Sequence, residues 1–293
     1  MYSDRKILPD VAAVLTGKRQ GLVLSGGESW HCYNRPAMKS VPRILCIGGH
    51  DPSGGAGIQA DIETVAALGG QALTLVTALT AQDTRNIAAV LPTPVDFFAR
   101  QAEILLRDIR PDAIKIGLLG SARLIPVVRG LLDGFAGPVV LDPVLAAGGG
   151  FDLGEDDLAG LIREQLAPAC TLLTPNRAEA RRLTGLQDVE QAARRLLAAG
   201  TGAVLITAAD EASGEQVENQ LYTGAAGPRR FAWPRLAHQY HGSGCTLASA
   251  CAANLALGQG MNEAVANAQR FTWQALNRAT RPGAGQWLPS RIQ

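Results

Sequence analysis

The chain has 293 residues, 47% hydrophobic and 18% charged, enough for one large α/β domain or two smaller ones. Its 27 basic and 26 acidic residues leave a formal net charge of +1 with no basic run, which argues against a nucleic-acid partner, and no apolar run approaches the roughly 18 residues of a membrane-spanning helix. The five cysteines (Cys32, Cys46, Cys170, Cys245, Cys251) are odd in number and form no CxxC pair, which argues against a disulfide framework or zinc site and fits a reducing cytoplasm.

Residues 1–40 carry no periodic pattern: Lys6, Lys18 and Arg19 interrupt the apolar residues, and Gly26, Gly27 and Pro36 break any helix. No apolar core followed by a small-residue cleavage site marks a secretory signal. This stretch is expected to be a weakly ordered extension or a mis-assigned start, with Met38 just ahead of the first strand and one domain over 41–293. From Arg43 the pattern becomes regular. Short apolar runs predict buried strands at 44–47, 72–79, 113–116, 139–141, 171–173 and 203–206. Helical spacing fills the gaps at 58–68, 94–108, 121–132, 156–166, 176–184 and 188–199. Residues 216–222 and 230–233 read as an antiparallel pair, and helices are expected at 243–257 and 262–279. Strands alternating with helices imply a mainly parallel sheet with helices on both faces. Ligands of such sheets bind beyond the carboxyl ends of the strands, where the loop 48–57, Gln82, Asp83, Gly117, Asp142 and Asn176 fall.

The most informative stretch is Tyr240-His241-Gly242-Ser243-Gly244-Cys245-Thr246-Leu247, a glycine turn opening an alanine-rich helix. The first amides of a helix have no internal partner and its dipole favours negative charge, so this turn can cradle an anion. The same field favours a thiolate at Cys245; a glycine helix start with a small buried cysteine accounts for the pattern equally well. Asn176 and Glu179 place an amide and a carboxylate on one helical face, suited to phosphate-bound magnesium or to a capping box. Gln82, at a strand end, offers a donor and an acceptor that match an aminopyrimidine edge. Asp61 is either a dipole-compensating acid or a ligand to a polar substrate group. Gly55-Ala56-Gly57-Ile58-Gln59-Ala60 fits a dinucleotide fingerprint but leaves the late glycine turn unexplained, and no P-loop sequence occurs.

Six blocks in order resemble the hydroxymethylpyrimidine/phosphomethylpyrimidine kinases of thiamine synthesis, within the ribokinase-like superfamily. They are Gly49-His50-Asp51-Pro52-Ser53-Gly54-Gly55-Ala56-Gly57-Ile58-Gln59-Ala60-Asp61, Thr77-Ala78-Leu79-Thr80-Ala81-Gln82, Lys115-Ile116-Gly117, Leu141-Asp142-Pro143-Val144, Thr174-Pro175-Asn176 with Glu179, and His241-Gly242-Ser243-Gly244-Cys245-Thr246. The resemblance spans about 43–280 and implies a three-layer ribokinase-like α/β fold. It implies an enzyme that uses ATP and Mg2+ to phosphorylate 4-amino-5-hydroxymethyl-2-methylpyrimidine and then its monophosphate, and a homodimer. By position, Gln82 resembles the pyrimidine-recognising residue, and Gly49, Ala56 and Asp61 resemble other pocket members. Gly242, Ser243 and Gly244 resemble the anion hole, Cys245 the catalytic residue, and Asn176, Glu179 and Asp142 the nucleotide and metal side.

Three departures stand out. Thr207-Ala208-Ala209-Asp210 replace the lysine and Gly-Gly-His run common in the family, Ala146-Ala147-Gly148-Gly149-Gly150 follow Asp142-Pro143-Val144 without the usual lysine, and His50 replaces serine or threonine. A pyridoxal kinase of the same superfamily is the alternative, although aspartate would then be expected at 245. A non-catalytic pyrimidine sensor is another, and the intact 242–245 block argues against it.

Overall fold

The computed structural model describes residues 41–147, 151–152, 158–209, 214–224 and 227–292. The expectation for residues 1–40 therefore lies outside the described residues, as does Asp156 at the predicted start of one helix.

Strand β1 (Arg43–His50) is buried along nearly its whole length, as a strand covered on both faces must be. It is followed by α1 (Gly57–Ala67), β2 (Gln71–Gln82), β3 (Ile87–Pro92), α2 (Val95–Asp108), β4 (Ala113–Ile116), α3 (Ile125–Leu132) and β5 (Val139–Leu141). Next come the two-residue strands β6 (Ala146–Ala147) and β7 (Phe151–Asp152), then α4 (Leu158–Leu161), β8 (Leu172–Leu173), α5 (Arg177–Thr184) and α6 (Val189–Ala198). The last elements are β9 (Val204–Ile206), β10 (Gln216–Tyr222), β11 (Arg229–Pro234), α7 (Ser243–Ala256) and α8 (Met261–Asn277).

Among the described residues, nine strands form one sheet in the order β11-β10-β9-β8-β5-β4-β1-β2-β3, and β6 pairs with β7 apart from it. The strands from β9 to β2 are parallel to their neighbours, while β3, β10 and β11 are antiparallel at the edges. Because side chains alternate along a strand, each central strand feeds two cores. Ile44, Cys46, Ala113, Val140 and Leu172 pack with Val65 of α1, the alanines of α7, and Val265 of α8. Leu45, Ile47, Ile114, Val139 and Leu173 pack with Phe98 of α2, Val128 of α3, Leu183 of α5 and Leu196 of α6. This is the expected three-layer ribokinase-like arrangement.

Four stretches differ from expectation, the first being the short ribbon of β6 and β7, which was not anticipated. β3 was not anticipated; it pairs with β2 only after the turn at 83–86 and carries no alternation of its own. The helix expected over 121–132 begins as a 3-10 turn, Ala122–Leu124, capped by Ser121. Pro126, lacking an N–H, then sits in the first turn of α3, where none is needed. Within the helix expected to reach Leu166, α4 gives way to a wider π turn at Ile162–Leu166.

From β1 the chain moves outward to β2 and β3, then returns to β4 on the opposite side of β1. That reversal opens a crevice at the carboxyl ends of β1 and β4. The glycine loop after β1, Leu118 after β4 and Asp142 after β5 all line it, while Gly117, expected there, does not.

Candidate active site

The loop 49–57 is built around the buried carboxylate of Asp51. Oδ1 accepts from the Ser53 amide at 2.8 Å and Oδ2 from the Ala56 amide at 2.8 Å. His241 Nε2 lies 2.9 Å from the same Oδ2. Burial alone would raise this acid, but the hydrogen bonds from His241 and Ser53 and the charge of His241 outweigh it and hold Asp51 at about 2. The dinucleotide fingerprint fails at this point: the amide of Ala56, inside the Gly55-Ala56-Gly57 turn, is committed to Asp51 and not presented to a pyrophosphate.

The late glycine turn packs directly on this loop. Gly242 has φ of 80°, and a Cβ there would lie 1.9 Å from the carbonyl oxygen of Gly55. Neither the backbone conformation nor the space admits a side chain. Gly242 is the N-cap of α7, and its carbonyl accepts from the Thr246 amide at 3.0 Å and the Thr246 hydroxyl at 2.8 Å. Ser243, Gly244 and Cys245 form the first turn and line the cleft, where helix-start amides have no intrahelical acceptor.

Below this turn lies a charged cluster. Lys115 is fully buried, and its Nζ donates to Asp61 Oδ1 at 2.7 Å and Oδ2 at 2.9 Å. Ser249 of α7 donates to Asp61 Oδ1 at 2.6 Å. Burial would lower the lysine's proton affinity; the charge of Asp61, then those of Cys245 and Asp142, raises it well above the ordinary value. Asp61 is therefore a buried counter-ion. It does not line the cleft, so its expected place in the substrate pocket is corrected: Lys115 sits on a strand face that points into the α1/α7 layer and takes both carboxylate oxygens. Asp142 lies against the start of α7, within 3.5 Å of where a Gly244 Cβ would stand. Burial and Asp61 push its carboxyl up to about 6, despite Lys115 and a hydrogen bond with the Cys245 thiol. Of the two readings of Cys245, thiolate or thiol, its surroundings favour the thiol. Burial, with Asp142 and Asp61, pushes this thiol up to about 11 against the opposing Lys115 charge and a Gly57 backbone hydrogen bond. Desolvation is the largest of these effects, and the two carboxylates add to it against the lysine.

These groups share one cleft of about 430 Å³. Gly49, Ala56 and the half-buried Gln82 line one end; Asn176, Glu179 and Thr207 line the other. Asn176 and Glu179 form the capping box: the Glu179 amide donates to Asn176 Oδ1 at 2.8 Å and the Asn176 amide to Glu179 Oε2 at 2.9 Å. Among the described residues no cluster of three His, Cys, Asp or Glu is placed to hold a metal. The donor set fits magnesium that keeps waters and rides on phosphates, with Asp142 and Glu179 as nearby carboxylates. Sequence reasoning gave no role to Lys115, His241 or Trp233 and Trp273, which stack with centroids 6.4 Å apart beside the far end of the cleft. A lysine inside the four-residue buried strand β4 was the available signal, since it demands a buried acid.

Residues 51–289 match the family described as phosphomethylpyrimidine kinase. The chain is 39% identical over 260 residues to the thiamine biosynthesis bifunctional protein ThiED of Geobacter sulfurreducens, covering 86% of this chain but 53% of that protein, about half its length. It is 37% identical over 250 residues to a hydroxymethylpyrimidine/phosphomethylpyrimidine kinase of Streptomyces coelicolor, covering 83% of this chain and 92% of that one. An ADP complex of Bacillus subtilis pyridoxal kinase superposes with a TM-score of 0.77 at 30% identity, covering 86% and 98% of the two chains. On sequence and fold together, this chain belongs to the phosphomethylpyrimidine kinase family.

Proposed function

We propose that this enzyme transfers the terminal phosphoryl group of ATP to 4-amino-5-hydroxymethyl-2-methylpyrimidine, and then to the resulting monophosphate. The observation that carries this reading is the meeting, in one cleft, of the Gln82 pocket with the helix start at 242–245. The Gln82 carboxamide pairs with the ring nitrogen and amino group of the pyrimidine. This directs the hydroxymethyl group toward α7, whose first amides stabilise the charge spread over the transferring phosphoryl oxygens. Magnesium on the nucleotide phosphates would neutralise their charge, with Asp142 and Glu179 beside its waters.

Cys245 starts as a thiol, so it acts as a relay. The substrate hydroxyl passes its proton to Sγ as the thiol proton passes to Asp142, whose carboxylate accepts it. The elevated proton affinity of Asp142 suits that end point. The departures at 207–209 and after Val144 remove cations from the nucleotide side, which places more of the charge neutralisation on magnesium. A homodimer in a reducing cytoplasm belongs to the same proposal. It is supported by the exposed apolar pair Leu79 and Leu91 on β2 and β3, and by the free state of Cys46, Cys170, Cys245 and Cys251.

The test is ATP turnover with hydroxymethylpyrimidine, its monophosphate and pyridoxal as alternative acceptors. The likeness to pyridoxal kinase makes the third arm informative. Turnover of both pyrimidines well above pyridoxal is expected; pyridoxal turnover alone would reverse the assignment.

A further inference from the structure

Arg291 does not line the cleft, yet it is buried to 2% exposure and spends its guanidinium on the two loops that form the cleft. Nε donates to Thr246 Oγ1 at 2.9 Å, Nη1 to the Gly54 carbonyl at 3.3 Å and to Glu63 Oε2 at 3.0 Å, and Nη2 to the Gly55 carbonyl. Thr246 stands in the first turns of α7 and bonds back to Gly242. The Gly55 carbonyl is the atom against which Gly242 packs. One planar fork therefore spans from the glycine loop of the pyrimidine end to the helix start that would receive the phosphoryl group.

The tail that delivers Arg291 touches the same parts. The His241 amide donates to the Trp287 carbonyl at 3.0 Å, and the Gln286 amide to the Thr84 carbonyl at 2.8 Å, two residues beyond Gln82. Burying a guanidinium costs more than burying an apolar side chain of like volume. What the arginine supplies in return is geometry: several donors in a rigid plane, which lysine cannot reproduce.

We infer that Arg291 is a positioning residue for phosphoryl transfer, holding the glycine loop and the start of α7 at the separation that aligns the acceptor oxygen with the transferring phosphorus. The inference rests on the kinase reading above. Misplacement by about 1 Å of groups that meet in a transition state costs on the order of 100-fold in rate, whereas ground-state binding of ATP does not depend on that alignment.

The experiment compares wild type, Arg291→Ala and Arg291→Lys in the ATP-coupled assay with hydroxymethylpyrimidine, each normalised to its folded fraction by near-UV circular dichroism. Inactive wild type refutes the kinase reading itself; only the variants, measured against active wild type, test Arg291. The expected result is a fall in kcat of roughly 100-fold in Arg291→Ala with little change in the KM for ATP. Partial recovery with millimolar ethylguanidinium, which refills the vacated slot, is also expected, as is a lower kcat in Arg291→Lys. Unchanged kcat in folded Arg291→Ala overturns the inference. So does a lysine variant with wild-type kcat, which would make charge sufficient. If Arg291→Ala does not fold, Arg291→Lys decides by the same split, and losses that only follow the folded fraction, without guanidinium rescue, make Arg291 a structural residue.

Discussion

Asp51 and Asp142 follow two strands of one sheet and flank one cleft, yet their surroundings drive them in opposite directions. Asp51 receives two backbone amides and a histidine and is held at about 2. Asp142 is buried beside another carboxylate, with a thiol as its hydrogen-bonding neighbour, and rises to about 6. The first is a satisfied carboxylate whose work is to fold a loop. The second carries electrostatic stress, and such stress concentrates where chemistry occurs. The loop end of the cleft is thus built by the hydrogen bonds of Asp51, two of them local and one from His241, while the Asp142 end keeps the strain that burial and Asp61 impose.

The comparison can be broken at its most stressed point. Cys245→Ala removes the relay, so phosphorylation of the alcohol is expected to fall by about 10²–10⁴. Phosphorylation of the monophosphate should fall far less, because that nucleophile already carries negative charge with a second pKa of about 6. Supplying alcohol or monophosphate with ATP separates the steps; an equal loss in both would leave Cys245 a positioning role only.

At the built end, Gln82→Leu leaves the aminopyrimidine edge unpaired at a cost of roughly 1–3 kcal/mol. The KM for the pyrimidine should rise about 5- to 150-fold while that for ATP holds. Parallel rises in both constants would contradict the division of the cleft.

Stability against pH sharpens the contrast between the two acids. The folded proton affinity of Asp142 is raised above its unfolded value, so this group destabilises the fold progressively as pH rises from the unfolded pKa of about 4 through about 6. Asp142→Asn should therefore raise the melting temperature of the ligand-free protein at pH 7–8 by a few degrees, with the gain vanishing near pH 4. Asp51 is depressed: its contribution is present above about 4 and lost as pH falls through about 2, so Asp51→Asn should lower the melting temperature at neutral pH. Melting curves across pH for both variants check the signs.

The smallest effect belongs to Asn176→Ala. Loss of the cap should cost about 1 kcal/mol, or about 2–4 °C in melting temperature for a domain of this size. A large rise in the KM for ATP with no change in stability would show that Asn176 serves the nucleotide more than the helix.

Much of this was legible in the sequence because its signals are local. Apolar runs bounded by glycines marked six parallel strands, and the 242–245 turn announced an open helix start. What escaped is held by partners that the local pattern does not name, adjacent in sequence for β3 and distant for the tail and Asp61. β3 has no pattern apart from its pairing with β2. The tail beyond Ala279 has isolated bridges in place of a regular element, such as Trp287 with Tyr240, and is held by side-chain and backbone hydrogen bonds to distant loops. Asp61 looked like a substrate ligand because it follows the glycine loop, and only the fold shows Lys115 already upon it. The thiolate reading of Cys245 rested on the helix start, which is visible in the sequence, whereas the desolvation and the two carboxylates that oppose it are not.

The cluster of Lys115, Asp61 and Ser249 has a consequence for how the chain assembles. Its members are separated by 54 residues between Lys115 and Asp61 and by 188 between Ser249 and Asp61. A partial structure in which β1, α1 and β4 have docked without α7 has the ion pair open to water on the side that α7 later seals. Sealing it with the wrong apolar segment would leave Asp61 short of the Ser249 hydroxyl in a dry core, at a penalty of roughly 1–3 kcal/mol. Completing these hydrogen bonds requires α7, so the helix that satisfies Asp61 through Ser249 is also the one whose first turn, Ser243 to Cys245, lines the cleft.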